Sequence, residues 1–249
     1  MISIDLYSRH AHLKPGLIAV LPITIALLAW IGTGSPVEKA FAALIATSGG
    51  TYALVMLARN KGRAIQDKLW KTWGGAPTIQ LLRHFGPSNP IVRNRWHHSI
   101  EKLTGQKLPT AAQEAEDPMA VDIKYEAAVR ALIVQRRDKK KFPLIFQENM
   151  HYGFCRNLLG LRPIGITCSI FGVVTSGIAI IYAEPKLHIF AAICCFVNGL
   201  ILLLWVFLIN PDWVKEPAFA YAERLLESSQ EINTSKIRKQ QLIKPSNHK

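Results

Sequence analysis

The sequence predicts an all-α integral membrane protein: four transmembrane helices in two hairpins, with an internal helical cytoplasmic domain. Three observations lead there. Four apolar stretches, Leu17–Thr33, Val37–Ala58, Ile164–Ala183 and Leu187–Ile209, match or approach membrane-crossing length, since a hydrocarbon core about 30 Å thick takes about 20 helical residues rising about 1.5 Å each. The turns within each pair are short, Gly34-Ser35-Pro36 and Glu184-Pro185-Lys186, so each pair must fold back on itself. Between the pairs lies a basic, mostly polar segment, residues 59–163.

Charge orients these elements. Residues 59–163 hold 19 of the chain's 30 Lys and Arg against 9 acidic residues, and the tail from Asn210 adds seven more basic residues. The head before Leu17 has Arg9 and Lys14, whereas the turns contribute only Lys39 and Lys186. Positive segments stay on the cytoplasmic side. The expected order is a cytoplasmic head at 1–16, a transmembrane hairpin at 17–58, a basic helical cytoplasmic domain at 59–163, a second hairpin at 164–209 and a cytoplasmic helical tail at 210–249 with a disordered end. The basic head and first apolar stretch have the form of a signal peptide, but the immediate return through a second span reads as an uncleaved first helix. Cys155 falls inside the cell and Cys168, Cys194 and Cys195 within spans, so packing residues are expected rather than disulfides or metal ligands.

The composition of the spans narrows the function. In the second, Ala42, Ala46 and Gly50 share one face; in the third, Gly165/Ser169 and Gly172/Ser176 do the same. Small residues so spaced let helix backbones approach closely in lipid. Thr47, Ser48, Gly49, Gly50 and Thr51 place hydroxyls and exposed backbone at mid-membrane, which serves either to pack helices or to line an ion path. The first and fourth spans are bulkier and read as lipid-facing. Asn198 is strongly polar and deep in the fourth, suited to bonding a neighbouring helix or subunit. No charged residue or histidine lies deep in a span, which argues against a coupled pump, and four spans are few for an alternating-access carrier.

The central segment reads as helical throughout. One helix continues from the second span to Trp73 and stops at Gly74-Gly75. A short one covers Ile79–His84. Asn89-Pro90 starts another over Ile91–Leu103, with Gly105 as its stop, and Pro109-Thr110 starts the next. A long helix runs from Pro118 to about Arg137, with Ala120, Ile123, Ala127, Ala128 and Leu132 as its apolar face. Asp138–Lys141 breaks the pattern, and Phe142–Leu161 leads into the third span. In the tail, Phe219, Ala222, Leu226 and Ser229 fall near heptad spacing, the pattern of a short coiled coil.

Two basic clusters carry the binding expectation. Arg83, His84, Arg93, Arg95 and His97 form one, with His98 beside them; Arg136, Arg137, Lys139, Lys140 and Lys141 form the other. Both present donors suited to phosphate, with Trp96 and Tyr152 as stacking surfaces for bases. The lysine run is also the pattern that anionic lipid holds, at about 1 kcal/mol per charge near the surface. His84, His97 and Glu101 would be the groups of an enzyme. However, no HExxH, CxxC, nucleophile elbow or Walker loop is present, and a His–Glu pair one turn apart is ordinarily a surface contact. The chain is read as a non-enzyme with no cofactor and no metal.

Five segments carry a family resemblance: Trp73-Gly-Gly-Ala-Pro-Thr78 with Leu81-Leu82-Arg83-His84, Asp138-Lys-Lys-Lys-Phe-Pro143, Glu148-Asn149, Tyr152-Gly153-Phe154 and Arg156-Asn157-Leu158-Leu159-Gly160. They resemble a group of uncharacterised bacterial inner-membrane proteins. The layout also resembles the membrane channel effectors of the Hailong anti-phage defence system. That resemblance implies a homo-oligomeric channel, a tetramer among the options, in the bacterial inner membrane with both termini cytoplasmic. It would stay closed until a single-stranded DNA oligomer or other nucleotide, made by a partner nucleotidyltransferase, arrives; opening would depolarise the membrane. The resemblance assigns no ligand residue.

The function expected is an oligomeric ion channel or pore-type effector gated by a cytoplasmic anionic ligand. Arg83, Arg93, Arg95 and Lys139–Lys141 would contact the anion, and Thr47–Thr51 would line or pack the path. The alternative is a non-conducting anchor or scaffold that recruits a cytoplasmic partner.

Overall fold

The computed structural model describes residues 5–30, 48–182 and 185–230. In chain order the helices are α1 (Ser8–Leu28), α2 (Ser48–Trp73), α3 (Pro77–Leu82), α4 (Pro90–Thr104), α5 (Ala111–Glu116), α6 (Pro118–Gln135), α7 (Pro143–Gly160), α8 (Arg162–Tyr182), α9 (Pro185–Leu208) and α10 (Pro211–Glu227). No strand occurs among the described residues. The first interhelical turn, the Ala42/Ala46 pair, Thr47 and the expected disordered end lie outside them.

Among the described residues, three helices, α1, α8 and α9, are long and apolar enough to cross a membrane, which is the mark of a membrane protein. The first half of the second expected span, residues 37–47, lies outside the described residues. The first helix starts before its apolar stretch: Ser8–Leu13 form wide π-type turns running straight into Lys14–Leu28. By contacts the chain divides into two compact units, Met1–Leu69 with Met150–Pro217, and Trp70–Asn149 with Ala218–Lys249.

In the first unit the membrane helices turn small residues inward and large ones outward. Gly165, Ser169, Gly172 and Ser176 of α8 are all buried. Gly165 lies under the Trp205 indole and Gly172 against the Asn198 side chain. The order of these pairs makes α8 and α9 antiparallel neighbours. Asn198 is fully buried and donates through Nδ2 to Ser176 Oγ at 3.4 Å, so its role here is to join two helices of one copy. Ala29, Ala179, Ala191 and Cys194 form a second small-residue cluster, with Ile25 and Trp30 packed against it. Arg162 satisfies the end of α9, donating from Nε to the Trp205 carbonyl at 3.2 Å and from Nη2 to that of Val206 at 2.8 Å. On the outer face of α9, Ile189, Ile193, Phe196, Leu200, Leu203 and Phe207 recur every three or four residues and are exposed. Such a face suits lipid, where close packing rather than escape from water holds helices together.

The second unit has a conventional core: Leu81, Leu82, Trp96, Ile100, Tyr125, Leu132, Leu225 and Leu226 are buried together. Its helices start and stop as the local signals dictate. Asn89 Oδ1 accepts from the Ile91 amide at 2.9 Å, and Gly105 ends α4 in the left-handed region at φ 71°. Thr110 and Gln113 form a capping box. Two expectations are corrected. The buried face of α6 is Val121, Tyr125, Ala128, Val129 and Leu132, while Ala120, Ile123 and Ala127 are exposed. That stripe has the same helical spacing, and it wins because Tyr125 also satisfies a buried carboxylate. The tail heptads do not face a second copy: Ala222, Leu226 and Ser229 are buried in this unit.

Candidate functional site

The first basic cluster is drawn together, but around backbone. α3 ends at Leu82, earlier than expected, which leaves Arg83–Gly86 as a tight turn. Arg83 grips Asp122 with Nε to Oδ1 at 2.8 Å and Nη2 to Oδ2, and its Nη1 donates to the Gly74 carbonyl at 2.8 Å. The carboxylate bond, ahead of the opposing effect of burial, raises the Arg83 pKa. His84 Nε2 meets the Pro109 carbonyl at 3.0 Å, Arg93 Nη1 donates to the His84 carbonyl at 2.6 Å, and His97 Nε2 meets the Leu82 carbonyl at 2.7 Å. Below the turn sits Glu114, buried, accepting from the His84 and Phe85 amides at 2.8 and 3.2 Å and from the Tyr125 hydroxyl at 3.0 Å. Three donors compensate the desolvated carboxylate. Burial first, and the Glu114 bond second, push the Tyr125 pKa up.

These groups therefore hold the fold. Arg83, Arg93 and His97, expected to meet an anion, have intramolecular partners; Arg95 and His98 are exposed. The groups imagined for an enzyme partly converge, with the His84 and His97 rings 5.0 Å apart. Glu101, however, is engaged on the Leu108 amide at 2.8 Å, and both imidazoles bond carbonyls, so no open set of acid and base results.

The second cluster splits in the same way. Arg136 is buried, with Nε 3.3 Å from Ser228 Oγ, Nη2 3.2 Å from the Ser228 carbonyl, and its guanidinium 4.8 Å from the Phe142 ring centre. Arg137, Lys139, Lys140 and Lys141 are exposed, with the Lys139 ammonium 5.9 Å from the Phe146 ring centre. Of the pore candidates, Ser48, Gly49, Gly50 and Thr51 begin α2, and Asn198 is inside the α8–α9 contact.

A more open arrangement of cations occurs in the first unit, on residues outside both basic clusters. Val55, Arg59 and Arg63 fall four apart on α2 and share one face. Together with Tyr7, Ser8, His12 and Arg156 they line a cavity of about 400 Å³. Close helix approaches build its walls. The Gly62 and Gly160 backbones leave no room for a Cβ, and Gly153 admits the Tyr7 hydroxyl. Asn157, fully buried, donates to the Ala11 carbonyl at 2.5 Å. Arg156 is held by neutral acceptors, Gln66 Oε1 and Asn157 Oδ1, and lies 5.5 Å from the Tyr152 ring centre. Burial raises the Tyr7 pKa against the pull of Arg156 and Arg63. The signal for Arg59 and Arg63 was their spacing directly after an apolar stretch; Arg156 stood in a segment quoted above for the family resemblance.

Neither family models, nor curated proteins, nor solved structures give a match to this chain.

Proposed function

We propose that this protein is an oligomeric channel or pore-type effector of the bacterial inner membrane, with both termini and the second unit cytoplasmic, opened by a cytoplasmic anionic ligand of the nucleotide class. One observation carries the reading. α2 is a single unbroken helix bearing, in order, the polar Ser48–Thr51 stretch, then Arg59 and Arg63 of the cationic cavity, then the entry to the second unit at Trp70. A ligand that favours one position of the arginines favours one position of the polar stretch on the same rod. The conducting path needs several copies, because the small-residue face of α8 is filled by α9 within one copy. A DNA oligomer from a partner nucleotidyltransferase fits the ligand class, and depolarisation fits a role in anti-phage defence. Planar-bilayer recording of the purified protein, with and without short single-stranded DNA, tests this. Ligand-dependent unitary currents are expected; no current in either condition overturns it.

The second reading, a non-conducting anchor, draws on large apolar side chains left on the second unit: Phe85, Ile91, Met119 and Ile123 are 73, 71, 81 and 68% exposed. It expects a monomer or a heteromer in detergent and no leak on overexpression.

A further inference from the structure

We infer that Arg59, Arg63 and Arg156 form a binding site for a phosphate group, supplied either by an anionic lipid headgroup or by a soluble phosphate compound. The inference rests on the chain being membrane-embedded but not on its conducting ions. Three guanidinium groups from two helices line one cavity, and among the described residues no carboxylate lines it with them. Asp5, the acidic group whose charge reaches Tyr7 and His12, has its Oδ1 on the Ser8 amide at 3.1 Å. Arg59 and Arg63 make no hydrogen bond or ion pair among the described residues, and Arg156 bonds only the neutral Gln66 and Asn157 there. The contrast with Arg83 on Asp122 is plain: that cation has a carboxylate partner that explains it.

Gathering like charges without an acidic partner is unfavourable, and an anion completing the set relieves the repulsion. Guanidinium forks match phosphate oxygens in geometry as well as charge. A second polar group points the same way. His12 is only 7% exposed, lines the cavity, and its Nδ1 has no hydrogen-bond partner, so a ligand oxygen or a ligand-bound water would satisfy it. The volume, about 400 Å³, lies within the range of small-molecule sites, about 300–1,000 Å³, and holds a phosphate with a polar group attached. The position also fits. Ser8 opens α1, and Arg156 stands in the last turns of α7, just before α8, so the cavity lies where two candidate spans begin.

The test uses the full chain in maltoside micelles, titrated separately with dihexanoyl-phosphatidylglycerol and with inorganic pyrophosphate, binding being read by native mass spectrometry and by thermal shift. At least one probe should bind the wild type, and the double variant R59Q/R63Q should weaken it tenfold or more. The control K124Q, an exposed lysine of the second unit, should leave it unchanged. Binding of phosphatidylglycerol that pyrophosphate does not displace identifies a lipid site; pyrophosphate binding without phosphatidylglycerol binding identifies a soluble ligand. The inference is overturned if neither probe binds, if R59Q/R63Q leaves binding unchanged, or if K124Q weakens binding as much as R59Q/R63Q. Should the double variant fail to fold, R63Q alone, at an exposed position, serves with the same criteria at a threefold loss. A protein that binds phosphate but carries no current removes the channel reading and leaves this site standing; current without binding does the reverse.

Discussion

The backbone of Gly172 lies directly against the side-chain amide of Asn198: a Cβ on the glycine would stand 2.8 Å from both Cγ and Nδ2. This contact sets how closely α8 and α9 approach. The amide nitrogen has Ser176 to bond, while Oδ1 is buried without a hydrogen-bond partner among the described residues.

Substituting Gly172 by Ala should therefore overpack the pair and cost about 1–3 kcal/mol. N198A in the same chain should recover part of that loss by vacating the space. Thermal unfolding in maltoside micelles measures both. A G172A protein as stable as wild type would show that the two helices do not meet at this point.

Glu114 to Gln should destabilise the second unit by about 1–3 kcal/mol, because the amide turns a donor toward one of the His84 and Phe85 amides and leaves buried groups unmatched. Y125F removes one of the three donors and should cost about 1 kcal/mol. Chemical denaturation followed by hydrogen exchange of the α4 and α6 amides reads this unit, and equal stability of E114Q and wild type would contradict the bonding described.

His97 makes a pH prediction whose sign follows from burial. Burial, the largest cause, lowers its pKa below the ordinary 6.5; the Leu82 carbonyl opposes this, while His84 and Arg93 reinforce it. The unfolded chain takes up the proton near 6.5 and the folded chain resists it. Stability from this group is thus fully present above pH 6.5 and declines as pH falls through the lowered folded value, by at most about 1.4 kcal/mol per pH unit. Melting curves of wild type between pH 7.5 and 5 should show the decline, and H97Q should show a shallower one. Identical slopes would assign the acid sensitivity elsewhere.

Much of the architecture was readable before any contact was known. Asn89, Gly105 and Thr110 announce helix ends through bonds spanning a few residues, and the Gly/Ser pairs of the third apolar stretch mark a packing face by spacing alone. What misled was equally local. Ile123 and Val121 offer α6 two overlapping apolar stripes, and only the position of Glu114 selects the one containing Tyr125. The heptad-like spacing of Ala222 and Leu226 does not say whether the covering surface belongs to another copy or, as here, to the same chain.

The candidate site shows the same division. Runs of Arg, His and Lys drew attention because they are dense along the chain, yet Arg83 is matched by Asp122 across 39 residues and Arg136 by Ser228 across 92. Arg59 and Arg63 sit in no conspicuous run, and Arg156 reaches Gln66 across 90 residues.

By itself the sequence determined that this is a helical membrane protein with a positive interior segment, because apolar length and charge bias are properties of consecutive residues. Only the tertiary structure decided which cations are matched and which converge on an open cavity, because charge neutralisation depends on distances through space that the order of residues does not contain.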